Sequence, residues 1–271
     1  MAAIVTKAFV MNSFPWKDRH RLLHLLTPEQ GLITAMAPAS ESLRSKLRGG
    51  TQLFSLGEFT LTDRQGRFSI SDGTVIESFA SISQDLDRLA AASHAAEVFS
   101  DVARNDEPRR RLFDLWAYTL YEVASGQDPV FAAQMGCLRL MGEIGFPPCL
   151  DACVLCQKIP QAPYAFSYRA GGLLCLADQA AGGQEMTSGL SEGTLALLRH
   201  VISAPFPRLF RFQAGPGARS QASCFADRWV EEKMEKRYKR LAMLDQCLDF
   251  ICPRPKEAKE DKEDDSLSQL V

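Results

Sequence analysis

Four cysteines in the middle of the chain have the spacing of metal ligands. Cys153 and Cys156 form a C-x-x-C pair, Cys149 stands four residues ahead of it, and Cys175 closes the run Gly171-Gly172-Leu173-Leu174-Cys175. A C-x-x-C turn presents two thiolates to one tetrahedral ion, and distant third and fourth donors then close the intervening segment around it. Zn²⁺ suits such a set, so a structural zinc knuckle is expected. The fourth donor is either Cys149, giving an all-sulfur site, or Asp178, which stands where a second C-x-x-C would end. A redox dithiol would need a strand-to-helix junction of the thioredoxin kind, and no such pattern flanks the pair.

The second chemistry is phosphate and base recognition. Residues 3–79 hold nine Lys and Arg against seven acids, interleaved with Phe9, Phe14, Trp16, Phe54 and Phe59. Cations can track a phosphate backbone while aromatic faces stack on bases. Lys17, Arg19, Arg21, Arg44, Lys46 and Arg48 are the candidate DNA-binding residues, and Trp16, between Pro15 and Lys17, is the aromatic best placed to meet a base. Most of the other rings in a small barrel fill its interior. Arg109, Arg110 and Arg111 crowd a helix N-terminus, where the dipole disfavours cations, and hint at an acidic partner.

Catalytic constellations are missing. The chain has no G-x-x-x-x-G-K-[ST], G-x-G-x-x-G or H-E-x-x-H motif, and its four histidines are scattered, His20 and His24 being the nearest pair. No catalytic residue is assigned and a non-enzyme is expected.

These groups need elements to hold them. Ala3 to Asn12, Arg21 to Leu26, Gly31 to Pro38, Leu53 to Thr62 and Phe68 to Phe79 read as strands between turn signals such as Asp63-Arg64-Gln65-Gly66. Five strands in so short a stretch predict a closed OB-type barrel, which hides its own edges. From Ser83, the expected N-cap, the period becomes helical. Pro108 opens a helix that Gly126 stops, Asp128 and Pro129 open another, and further helices are expected over 192–202 and 222–251. The predicted architecture is an α+β multidomain chain. It comprises an OB barrel over residues 1–80, a helical domain over 81–252 with the knuckle inserted at about 145–186, and a disordered charged tail over 253–271.

Charge and length narrow the class. Of 31 basic and 33 acidic residues in 271, four and six fall in the tail, leaving 27 of each, so any nucleic-acid binding must come from local patches. Met1 to Phe9 lack the charged start and apolar stretch of a secretion signal, so none is expected, and there is no apolar run near eighteen residues. The expectation is therefore a cytoplasmic, nucleoid-associated protein with no membrane partner and reduced cysteines. Cys137, Cys224, Cys247 and Cys252 are expected to be small buried or half-buried hydrophobes.

The order of these parts, with the phrases Leu26-Thr27-Pro28-Glu29-Gln30-Gly31-Leu32-Ile33, Ser45-Lys46-Leu47-Arg48-Gly49-Gly50, Gly145-Phe146-Pro147-Pro148 and Cys153-Val154-Leu155-Cys156, resembles the bacterial recombination mediator family RecO over roughly residues 3–250. The resemblance implies an OB barrel, a helical domain and, in many members, a zinc knuckle. It implies DNA repair and homologous recombination without turnover: binding of single- and double-stranded DNA, annealing of complementary strands, contact with the C-terminal tail of single-strand-binding protein, and action with RecR to load RecA. Two departures stand out. Met36-Ala37-Pro38-Ala39-Ser40-Glu41 replaces a basic stretch after the third strand, and Asp178 replaces the last knuckle cysteine. The alternatives are a zinc- or thiol-dependent enzyme acting on nucleic acid, and a scaffold that binds only proteins.

Overall fold

The computed structural model describes residues 3–17, 19–40, 42, 45, 47, 49–104, 109–175, 177–178 and 187–241. Arg44, Lys46, Arg48, Pro108, Cys247, Cys252 and the tail over 253–271 lie outside them.

Five strands, β1 (Ala3–Trp16), β2 (His20–Thr27), β3 (Gly31–Ala37), β4 (Leu56–Arg64) and β5 (Arg67–Glu77), close a barrel in the order β1-β2-β3-β5-β4. Alternation drives it. Ala8, Val10, Leu23, Leu25, Ile33, Ala35, Leu61 and Ile70 point inward around the fully buried ring of Phe59. Gly57 and Gly73 flank that ring so closely that a Cβ at either would lie 2.9 Å from it. β1 runs four residues past the expected end, because Trp16 still pairs with His20 across a tight turn in which Lys17 and Arg19 take φ 46° and 64°.

The α-helices with described bounds include α1 (Ala80–Ser83), α2 (Leu86–Ala103), α3 (Arg109–Ser125), α4 (Pro129–Glu143), α5 (Glu192–Ser203) and α6 (Pro216–Met234). Asp128 caps α4 by accepting from Phe131 N–H, as its spacing foretold. Ser83 does not cap the next helix. It ends the single turn of α1, and Asp85 caps α2 through Arg88 N–H. α4 is the centre of the domain, buried from Phe131 to Met141 and packed against α2, α3 and α6. Besides its own interior, the barrel segment adds Phe9, Met11, Leu26 and Phe54 to the core of the helical domain: Phe9 meets Phe113 at 5.0 Å between centroids, and Phe9, Phe54 and Phe99 surround Trp116.

The expected long helix over 222–251 is corrected. It starts earlier, at Pro216, and stops at Met234, with Glu235 left-handed at φ 50°. Leu244, Leu248 and Ile251 lie outside the described residues. The chain turns because Lys236, Tyr238 and Arg240 are tied to α2: Lys236 to Asp101 and Glu97, Tyr238 Oη to Asp101, Arg240 to Glu97. The buried Tyr238 ring also meets His94 edge-on.

Between α4 and α5 stands a small sheet of β6 (Cys149–Cys153), β7 (Tyr164–Ser167), β8 (Gly172–Leu174) and β9 (Thr187–Leu190), ordered β6-β8-β7-β9. Phe166 anchors it on Phe225 and Trp229 of α6, and Trp229 Nε1 donates to Phe146 O. No helix among the described residues is long and apolar enough to cross a membrane.

Candidate metal knuckle and nucleic-acid face

The knuckle assembles from three segments. Cys153 ends β6, Cys156 follows in the turn, and Cys175 and Asp178 come just after β8, which runs parallel to β6. The bond from Val154 N to Leu173 O (2.9 Å) ties the two arms together, and that from Cys153 N to Lys158 O (2.8 Å) closes the C-x-x-C turn. One donor atom from each of Cys153, Cys156, Cys175 and Asp178 then lies within 4.8 Å of all the others, so these four residues could hold a metal ion. The sulfurs of Cys156 and Cys175 are 3.7 Å apart, and an Oδ of Asp178 is 3.1 Å from Cys153 Sγ and 2.9 Å from Cys175 Sγ. Thiolates about 2.3 Å from a tetrahedral Zn²⁺ stand roughly 3.8 Å apart, so the sulfur pair fits that geometry.

Electrostatics around the sulfurs agree. Burial opposes ionisation of Cys153, but backbone N–H groups of Cys156, Cys175 and Leu155 outweigh it and lower its pKa. The Asp178 carboxylate opposes ionisation of Cys156, whose pKa is pushed up to about 12. Hydrogen bonds from the thiols of Cys156, Cys175 and Cys153 hold Asp178 down at about 2. A carboxylate ringed by thiols is a cluster of acceptors once protons leave, and a divalent cation satisfies all of it at once. Cys149 stands outside the group: it is exposed, its sulfur facing Ala152 O at 3.6 Å. Its backbone, rather than its thiol, serves the knuckle, since Cys149 N donates to Gly171 O.

The second site lies on the outer face of the barrel. A cleft of about 820 Å³ runs between the β1–β2 turn and the β4–β5 turn, lined by Trp16, Leu22, Met36, Arg64, Arg67 and Phe68 among others. The outer face of strands 2 and 3, with those two loops, is where OB barrels take oligonucleotides. Trp16 is 45% exposed and offers its ring there, while Arg64 and Arg67 are exposed at the opposite rim. Arg64 lies within the Asp63-Arg64-Gln65-Gly66 turn signal and Arg67 directly follows it. Barrel topology turns that signal into a site, because loops joining strands far apart in sequence meet at one end of the closed sheet.

The other candidate cations are placed differently. Lys17 and Arg19 are exposed in the turn next to Trp16. Arg21 folds onto β1, its Nε 2.7 Å from Ser13 Oγ and a terminal nitrogen 3.3 Å from Ser13 O. Of the arginines opening α3, Arg111 is held by Glu143 (2.6 and 3.0 Å) and Arg110 lies 3.3 Å from Asp114, so the acidic partners are internal. His20 and His24 form no metal group; His20 Nδ1 accepts from Ala39 N. Cys137 is buried as expected, but Cys224 is exposed on α6.

An OB-type barrel joined through a shared aromatic core to a helical domain with a cysteine cluster defines an α+β architecture, with a cleft on the outer face of its barrel. Family models for the recombination protein O N terminal and C terminal match residues 1–79 and 83–242, and the chain belongs to the RecO family of DNA repair proteins. It is 26% identical over 245 residues to the DNA repair protein RecO of Acetivibrio thermocellus, covering 90% of this chain and 97% of that one. It is also 26% identical over 239 residues to that of Desulforamulus reducens (88% and 92% covered), and 27% identical over 169 residues to that of Listeria welshimeri (62% and 66%).

Proposed function

We propose that this protein is a recombination mediator without catalytic turnover. It binds single- and double-stranded DNA and anneals complementary strands. With RecR and the C-terminal tail of single-strand-binding protein as partners, it helps load RecA onto coated DNA in the cytoplasm, at the nucleoid. The observation that carries the DNA part is the cleft in which Trp16, Met36 and Phe68 present apolar faces beside Arg64 and Arg67. Stacking on such faces tolerates any base, and the cations neutralise phosphates, so binding is sequence-independent and salt-dependent. Two strands held near one cationic surface lose part of their mutual repulsion, which lowers the barrier to pairing. Lys17 and Arg19 extend the rim in this reading, and Arg44, Lys46 and Arg48 are assigned to the same surface by sequence.

The knuckle is assigned a structural Zn²⁺ held by Cys153, Cys156, Cys175 and Asp178. A set of three sulfurs and one carboxylate without histidine favours a closed site over one that activates water. The ion's role is to tie the C-x-x-C turn after β6 to the segment after β8, at the edge of the sheet where Leu155 and Cys156 are exposed.

The deciding experiment is annealing of two labelled complementary strands, bare or coated with single-strand-binding protein, with the products checked for cleavage. Faster annealing on coated strands with intact products is expected. Cleaved or modified DNA would establish the enzyme instead, and no retention of DNA at low salt would leave only the protein scaffold.

A further inference from the structure

The outer face of β1 and β2 does not end with the cleft. Residues two apart on a strand share a face, so Asn12, Phe14 and Trp16 stand together, with their cross-strand partners His24, Leu22 and His20 beside them. Trp16 and Leu22 belong to the cleft at the hairpin tips. Asn12, Phe14 and His24, further along the same strands, line a second cleft whose far wall is α2 and the chain after α6.

That far wall is cationic at its rim. Glu97 and Asp101 have side chains only 26% and 20% exposed, and they are held by Arg240 (2.7 Å) and Lys236 (2.9 and 2.6 Å). Arg104, 60% exposed, reaches Asp101 only at 3.7 Å. Three cations thus sit over two largely covered carboxylates. On the near wall Phe14 is 41% exposed, with its ring edge-on to His24 at 5.3 Å. Burial, with Arg104 adding to it, lowers the His24 pKa, so this ring is neutral at pH 7 and presents an uncharged face. An aromatic pair beside exposed cations is the combination that holds a single strand without reading its sequence.

Resting on the reading of the barrel cleft as a DNA surface, we propose that a bound single strand continues across the domain junction. One base stacks against Phe14 and His24, and the phosphates beyond it are held by Arg104, Lys236 and Arg240. The track then runs from the β4–β5 turn over the β1–β2 face and onto α2, so barrel and helical domain bind one strand jointly. The shared aromatic core of Phe9, Phe54 and Trp116 keeps the two halves of the track in fixed relation.

The test uses the full chain and oligothymidylates of about six and about twenty nucleotides at low salt, since one OB barrel covers about 4–16 nucleotides. The double variant Phe14→Ala/Arg104→Glu should bind the short strand as the wild type does and lose about tenfold or more on the long one, the scale of one lost stacked base. Arg64→Glu/Arg67→Glu should weaken both lengths. Equal loss at both lengths for the junction variant, or no loss, overturns the junction track while leaving the barrel reading intact; an unaffected barrel variant overturns the barrel reading itself. Reductive methylation of the wild type gives the same answer without substitution. Lys236 should be protected by the long strand and not by the short one, and equal labelling in both complexes sinks the proposal.

Discussion

The sulfur of Cys156 lies 3.7 Å from the sulfur of Cys175, although the two residues are nineteen positions apart. Nothing covalent joins them. They meet because parallel β6 and β8 bring the C-x-x-C turn and the chain after Leu174 to the same end of the small sheet, where an Asp178 carboxylate oxygen lies within 4.8 Å of all three sulfurs.

Metal content follows from that meeting. Purified protein is expected to carry about one equivalent of Zn²⁺ by elemental analysis, and Cys175→Ser should carry far less. Asp178→Cys should hold the ion longer against a chelator than the wild type, because a borderline ion prefers sulfur to oxygen. Cys149→Ser should retain metal; its loss in that variant would return Cys149 to the ligand set.

The barrel cleft predicts how DNA affinity fails. Removing the Trp16 ring should cost about 1–3 kcal/mol of single-strand binding, measured by fluorescence anisotropy. Arg64→Ala/Arg67→Ala should reduce the slope of log affinity against log salt by about 1.4, at about 0.7 for each phosphate contact on a single strand. An unchanged slope would remove both arginines from the interface.

Asp227 gives a pH prediction. Burial, only partly countered by the hydrogen bond from Gln134, pushes its carboxyl up to about 6, against about 3.9 unfolded. Between these values the folded state keeps a proton that the unfolded state has lost, so this group makes stability fall as pH rises from about 4 to 6. Burial holds His94 at about 4, against about 6.5 unfolded, so that group acts in the opposite sense over nearly the same window. The difference between Asp227→Asn and wild type isolates the carboxyl. The amide keeps an oxygen for Gln134 without a charge to bury, and it should raise stability at pH 7 by on the order of 2 kcal/mol, vanishing below pH 4 in denaturant titrations.

Close packing of α3 on α4 gives a further one. A Cβ at Gly136 would overlap the side chain of Thr119, whose Oγ1 is already bonded to Leu115 O. Gly136→Ala should therefore lower stability by about 1–3 kcal/mol without altering zinc content. A variant as stable as wild type would mean that the two helices can separate at little cost.

Much of this was written locally in the chain. Strand alternation, the Asp128-Pro129 helix start and the C-x-x-C pair each depend on neighbours a few residues away, and the strands, α4 and the cysteine turn stand close to where those patterns put them. What tertiary structure decided were the long-range choices. Asp178 rather than Cys149 joins the thiols because β8 delivers its end to the C-x-x-C turn, while the Cys149 side chain points outward from β6. Arg64 and Arg67, not Arg21, face Trp16 across a cleft because barrel closure sets the β4–β5 turn beside the β1–β2 turn, whereas Arg21 is spent on Ser13. Helix α6 stops at Met234 because carboxylates on α2, more than a hundred residues upstream, capture Lys236 and Arg240. Periodicity in a sequence reports which face of an element is apolar; it carries no information about which distant element supplies the partner, and that pairing determines both sites.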